Sequence, residues 1–362
     1  MIQRGNLYRA AALTLLALLL AACSGAKPAG LPAANGLPPG APAATVPERK
    51  KLTIGVGGQE LFIYLPATLA RQLGYFEQAG LDVEIVNFQG GGKALEALVG
   101  GGIDAVVGFY DHTIQAQPKG IALTMVVVYD RYPGIVLLAD PEASPPVRDF
   151  ADLRGQTVGI TSFGSSTHFT LNYLLARAGI LQDEVSIVQI GTGSASVAAM
   201  ENGKVTVGLF LDPAATRLLE AGKARVIWDT RSEHDTVAAF GGPYPAGGMY
   251  TTRERLEQMP NAIQAAVAAS LRTLDWIQDH SAADVADRMP PDFYGGDKRL
   301  YVDSLAASLA LFSPDGLMPE SGPASVLNVL KLSDPVVREA PAIDLAATYS
   351  NRFVEAVRQT AR

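Results

Sequence analysis

The chain is 362 residues long, 48% hydrophobic and only 18% charged, which is enough apolar material for two ordinary cores rather than one. Its 29 basic residues face 36 acidic ones, a formal net charge of −7, so no basic surface is available to meet nucleic-acid phosphates. With a single cysteine, a disulfide framework is excluded as well.

At the N-terminus, Arg4 and Arg9 precede an acid-free apolar run from Ala10 to Ala22. The run is too short for a spanning helix and has the layout of a secretory signal. It ends in Leu20-Ala21-Ala22-Cys23, followed by Ser24-Gly25. Small residues before a lone cysteine resemble a bacterial lipoprotein cleavage site, with Cys23 as the lipidated residue. An ordinary signal peptide with an incidental cysteine is the alternative. Residues 1–22 are expected as the signal peptide. Residues 23–50, mostly Ala, Pro and Gly, are expected as the lipidated cysteine and a disordered tether.

From Lys51 short apolar runs alternate with helical stretches, the pattern of an α/β layered fold. Leu52 to Val56 reads as a strand, and the loop Gly57 to Phe62 follows. Pro66 then starts a helix that Gly74 punctuates. Leu81 to Asn87 alternates apolar and polar residues, so it is a strand with one buried face. Gln89-Gly90-Gly91-Gly92 makes a turn into a helix from Lys93 to Val99, and Ile103 to Val107 is a third strand. Residues 172–213 repeat the plan of residues 74–111: helix, Ala-Gly, strand, glycine-bearing turn, short helix, strand. Two similar lobes follow from this. Leu123 to Tyr129 and Gly247 to Thr252 are the candidate crossings between them. Two crossings form a hinge, and a hinge between lobes leaves a cleft. The helical tail (263–277, 300–312, 324–332, 349–357) most simply packs on the first lobe. The expected division is residues 51–128 plus 247–362 for the first lobe and 129–246 for the second.

Several pieces then come in a telling order: Pro66-Ala67-Thr68-Leu69-Ala70, Gly74-Tyr75-Phe76, Ala79-Gly80-Leu81-Asp82-Val83, Gly90-Gly91-Gly92 and Gly102-Ile103-Asp104. The second lobe adds Asp152 to Gly159 and Gly164-Ser165. From Lys51 to Thr252 the chain resembles the substrate-binding proteins of nitrate/sulfonate/taurine-type ABC importers, a group that includes pyrimidine-precursor binders. The resemblance implies a two-lobed periplasmic-binding-protein fold of the two-crossing type (type II), with a ligand cleft between the lobes. It also implies a small-molecule ligand, a permease with its ATPase as partner, and a monomer in the periplasm or at the cell surface. No cofactor and no metal are expected.

The segment VGITSFGSSTHFTLNYLL, residues 158–175, gathers hydroxyl groups and little bulk at a strand-to-helix turn. A helix N-terminus leaves backbone N–H groups without partners and is partly positive, so Ser162, Gly164, Ser165, Ser166 and Thr167 could hold an accepting group. The alternative is that Ser165 or Ser166 only caps the helix. Ligands in open α/β sheets lie beyond the carboxyl ends of strands. That rule adds Gln59, Phe62, Gln89, Gly90, Tyr110, Asp111 and His112 from the first lobe, and His168, Thr192, Gly193, Ser194 and Asp212 from the second. His112 and His168, one per lobe, could hold a carboxylate, a sulfonate or a ring acceptor. Phe62, Phe109 and Tyr110 could wall a planar ligand. None of these turns carries arginine or lysine, which argues against a bare inorganic oxyanion and for an organic molecule with an aromatic or amide portion.

Catalysis has little support in the sequence. There is no G-x-S-x-G elbow, no H-E-x-x-H, no zinc spacing and no dinucleotide or P-loop fingerprint. The sequence thus describes a binding protein. The alternatives are a secreted hydrolase or transferase on the same fold, or a ligand-sensing accessory lipoprotein.

Overall fold

The computed structural model describes residues 46–360; Cys23, the signal segment and the tether up to residue 45 lie outside the described residues. The first strand, β1 (Lys51–Val56), buries Leu52, Ile54 and Val56. It pairs in parallel with β2 (Asp82–Asn87) on one side and β3 (Ala105–Phe109) on the other. β2 lies at the sheet edge, and its alternating pattern follows from that place: Val83 is buried while Asp82 and Glu84 are exposed. β3 is central and buried throughout, which is why its residues are uniformly apolar or small. β4 (Leu123–Val128) forms the other edge of the sheet, and the tail covers it.

The chain then leaves for a second sheet. β5 (Val136–Ala139), β6 (Thr157–Ile160), β7 (Ser186–Gln189), β8 (Val207–Phe210) and β9 (Arg225–Asp229) build it in the order β7-β6-β8-β5-β9. On its return the chain enters β10 (Gly247–Thr252), which inserts antiparallel between β3 and β4. The first sheet therefore runs β2-β1-β3-β10-β4. In each sheet the fourth strand is antiparallel and directly follows a crossing. The internal likeness seen in sequence has this topological counterpart.

β5 and β9 have no counterpart among the predicted strands. β5 has only four residues and no alternation, and β9 is a half-exposed edge. The crossings lie side by side: Tyr129 and Asp130 donate their amides to the Gly247 carbonyl (2.7 and 3.0 Å), and Ala246 N donates to Asp130 O at 3.0 Å. The Asp130 carboxyl sits in this hinge fully buried, without a hydrogen-bond partner. Burial pushes it well above the ordinary carboxylate range.

The tail differs from expectation. The long helix Pro260–Gln278 does pack on the first lobe, against Leu65–Gln72 and β4. The helix Gly322–Ser333, however, bridges the lobes, packing on Ser166–Ala178 of the second and on Asp111–Ala116 of the first, and the loop before Lys298–Ser308 reaches the second-lobe helix Ala214–Glu220. An apolar stripe on a helix says that it is buried, but not against which partner.

Candidate functional site

At the turn after β6, Ser165 caps the helix Ser166–Ala178, as the sequence allowed: its side chain accepts from His168 N. The surrounding hydroxyls bond one another. Thr161 N donates to Thr167 Oγ1 (3.0 Å), Ser165 Oγ lies 2.8 Å from Thr167 Oγ1, and it donates to Ser162 O (2.7 Å). Gly164 takes a φ of +72°, which suits glycine. Its amide donates to His168 Nδ1 at 3.2 Å. The cluster is thus largely satisfied within its own lobe.

Hydrogen bonds cross from these turns to the first lobe, and a backbone bond from Phe62 N to Asp212 O at 3.2 Å joins them. Ser166 Oγ donates to Asp111 Oδ1 at 2.8 Å, and the second carboxylate oxygen accepts from Tyr244 OH at 3.2 Å. Burial raises the Asp111 pKa against the opposing pull of His112. His112 Nε2 is 3.2 Å from the Gly164 carbonyl, so that nitrogen carries the proton. Nδ1 then accepts from Tyr250 OH at 3.0 Å. Burial lowers the His112 pKa and keeps the ring neutral, as this arrangement requires. Thr192 Oγ1 donates to Glu60 at 2.7 Å and stands 2.9 Å from the Gln89 amide.

Glycine makes this approach possible. A Cβ on Gly92 would stand 2.4 Å from the Phe163 carbonyl oxygen, and one on Gly90 would stand 2.5 Å from Ser162 Oγ. Between the two lobes, bounded by Gly57, Tyr64, Gly91, Ser165–Thr167 and Thr192, only about 10 Å³ remains, room for one water molecule.

The larger space lies just outside this seam. A cavity of about 600 Å³ is lined by Glu60 and Gln89 from the first lobe and by Thr192–Ala195 and Arg217 from the second. The tail closes a third side with Asp292, Phe293, Tyr294 and Tyr301. Such a volume matches small-molecule sites in general. Tyr294 donates its hydroxyl to Ala286 O at 2.6 Å, which fixes the ring, and its centroid is 5.1 Å from that of Tyr301. Arg217 donates to the Gly295 carbonyl and ties the tail loop to the second lobe.

The residues predicted from sequence therefore fall into three places. Gly90, Asp111, His112, Ser162, Gly164, Ser165, Ser166, Thr167 and Thr192 meet at the seam. Gln89, Thr192, Gly193 and Ser194 face the cavity. The others lie elsewhere. Gln59 donates to Thr68 within its own lobe, and the Phe62 ring is buried behind the wall, edge-on to Tyr301 at 5.2 Å, while its amide donates to Asp212 O of the second lobe at 3.2 Å. Tyr110 points into the first lobe, its hydroxyl 2.5 Å from Thr348. Asp212 caps its own helix through Thr216 and pairs with Arg231. His168 serves the Gly164 amide. The sequence reading missed the tail wall and Arg217. Pro290-Pro291-Asp292-Phe293-Tyr294-Gly295-Gly296 carried a signal, since two adjacent aromatics between prolines and glycines make a stiff, ring-bearing turn.

A profile described as NMT1/THI5 like matches residues 63–283. A solved structure from Bordetella bronchiseptica RB50 is 35% identical with a TM-score of 0.85, covering 88% of this chain and 99% of its own. The alkanesulfonate-binding protein SsuA from Xanthomonas axonopodis pv. citri, bound to MOPS, is 21% identical with a TM-score of 0.65 (84% and 99% covered). The periplasmic nitrate-binding protein NrtA from Synechocystis PCC 6803 is 14% identical with a TM-score of 0.66 (87% and 90%). The fold is that of these periplasmic binding proteins. Among curated relatives, the riboflavin-binding protein RibY of Chloroflexus aurantiacus is 25% identical over 302 residues, 82% of each chain. The 4-amino-5-hydroxymethyl-2-methylpyrimidine phosphate synthase THI13 of Saccharomyces cerevisiae is 24% identical over 165 residues, and the match spans 46% of its length.

Proposed function

The chain belongs to the NMT1/THI5-like family with the solute-binding fold of ABC importers, and from that premise we propose that it is the extracytoplasmic solute-binding component of such an importer. It captures a small organic solute between its lobes, which close about the paired crossings, and delivers it to a permease driven by its ATPase. It works in the periplasm or at the cell surface, held to the membrane by lipid on Cys23. The observation that carries this reading is the seam itself: turns from two separate sheets meet in direct cross-lobe hydrogen bonds about a two-strand hinge. A ligand that contacts both lobes favours the closed arrangement by its differential affinity.

Binding is favoured over catalysis by how the candidate nucleophiles are engaged. Ser165 Oγ donates to Ser162 O and Ser166 Oγ to Asp111, so neither is paired with a histidine base. The test is a thermal-shift and calorimetric screen of small organic solutes, with each bound solute recovered and identified by mass spectrometry. Recovery of an unchanged solute at stoichiometric occupancy is the expected result. A chemically altered product would overturn the binding reading. Cys23→Ser should leave solute affinity intact and move the protein from the membrane to the soluble fraction; protein that still sediments with membranes would remove the lipid anchor.

A further inference from the structure

We propose that the solute is an uncharged, planar ring compound bearing N–H or O–H donors, and that it lies in the 600 Å³ cavity against the tail loop rather than between the two helix tips. The inference rests on the solute-binding reading above and adds the place and the chemistry.

The inner position has little room, and of its polar side chains only Ser162 Oγ is without a partner among the described residues. It holds about 10 Å³, Asp111 already accepts from Ser166 and Tyr244, and both ring nitrogens of His112 have protein partners. The cavity has the room. Phe293 and Tyr294 offer ring surface, the second held in place through its hydroxyl, and flat rings bind best against such fixed aromatic walls. Tyr301 backs this wall, 1% exposed.

Charge selects the class. Two carboxylates, Glu60 and Asp292, line the cavity against a single guanidinium, Arg217, which already donates to the Gly295 carbonyl. An anion entering here loses its hydration beside two like charges. A neutral solute with donors meets acceptors instead.

The test uses four probes on the whole soluble protein: riboflavin and 4-amino-5-hydroxymethyl-2-methylpyrimidine as uncharged ring compounds, MOPS and nitrate as anions. At least one ring compound should raise the melting temperature in proportion to its concentration, and the anions should not. Ser194 is an exposed wall residue, so Ser194→Trp fills the cavity without touching a core. It should weaken ring-compound binding about 100-fold. Binding of the anions alone, or of none of the four probes, overturns the ligand class. A ring compound bound equally well by Ser194→Trp overturns the place but leaves the solute-binding reading standing. Conversion of the bound compound to product overturns that reading instead.

Discussion

Thr192 stands between two regions built from the same kind of material. On one side is the seam, where polar turns of both lobes bond each other and Ser162 Oγ is the unpartnered exception among the hydroxyls described above. On the other is the cavity, whose rings and carboxylates face open space. Both lie beyond the carboxyl ends of the same strands. What separates a mating surface from a ligand surface is therefore how many of its groups already have partners, since a satisfied group has little left to offer a solute.

The sharpest way to break the comparison is to prop the seam open. Gly92 lies in the helix Gly91–Val99 with ordinary helical φ, so alanine suits the open form and its close contacts are with the Phe163 and Gly164 carbonyls across the seam. We expect Gly92→Ala to keep its far-ultraviolet circular dichroism, to have a larger radius of gyration in solution scattering, and to lose about 100-fold in solute affinity, the equivalent of the roughly 3 kcal/mol that severe overpacking costs. Wild-type affinity in this variant would mean that closing the seam has no part in binding.

The hinge supplies the opposite case, a buried group with no partner and no ligand to meet. In the folded chain Asp130 holds its proton to higher pH than in the unfolded chain. Between the ordinary carboxylate pKa and the raised one, the folded state binds more protons, and stability falls as pH rises through that window. Asp130→Asn removes the titration. It should match the wild type in acid and exceed it by about 2 kcal/mol once the carboxyl would be ionised, read as a melting temperature several degrees higher. A variant that loses stability at neutral pH would show that the carboxylate has a partner in solution.

How far the sequence reached differs between these regions for physical reasons. Strand positions follow hydrophobic period, so β1 and β2 were legible to within a residue or two, whereas Gly247–Thr252, read as a crossing, is a strand inside the first sheet and the chain crosses just before it. The seam residues were legible as a set because small hydroxyl and glycine turns mark close approach. Their roles were not, because ligand contact and lobe contact call for the same residue types. The cavity was least legible. Its tail wall comes from residues 292–301, at least 100 positions from Thr192, and no local pattern announces a contact of that range. Tyr110 shows the converse: next to Asp111 in sequence, it points into the lobe because the chain there turns helical.

Within the seam, solvent access ranks what remains. Ser166→Ala leaves Asp111 fully buried with Tyr244 as its one remaining side-chain donor, and water cannot reach it. That should cost about 1–2 kcal/mol of closure, or about tenfold in affinity. Thr192→Val also deletes one cross-lobe bond, but its partner Glu60 is half-buried and borders the open cavity, so water can take the place of the lost hydroxyl. Its cost should stay near 0.5 kcal/mol, about twofold in affinity. Calorimetry on both variants decides the matter. If Thr192→Val proves the more damaging, then Glu60 is sealed off from solvent when solute is bound, and the cavity closes over its contents more completely than the unliganded seam does.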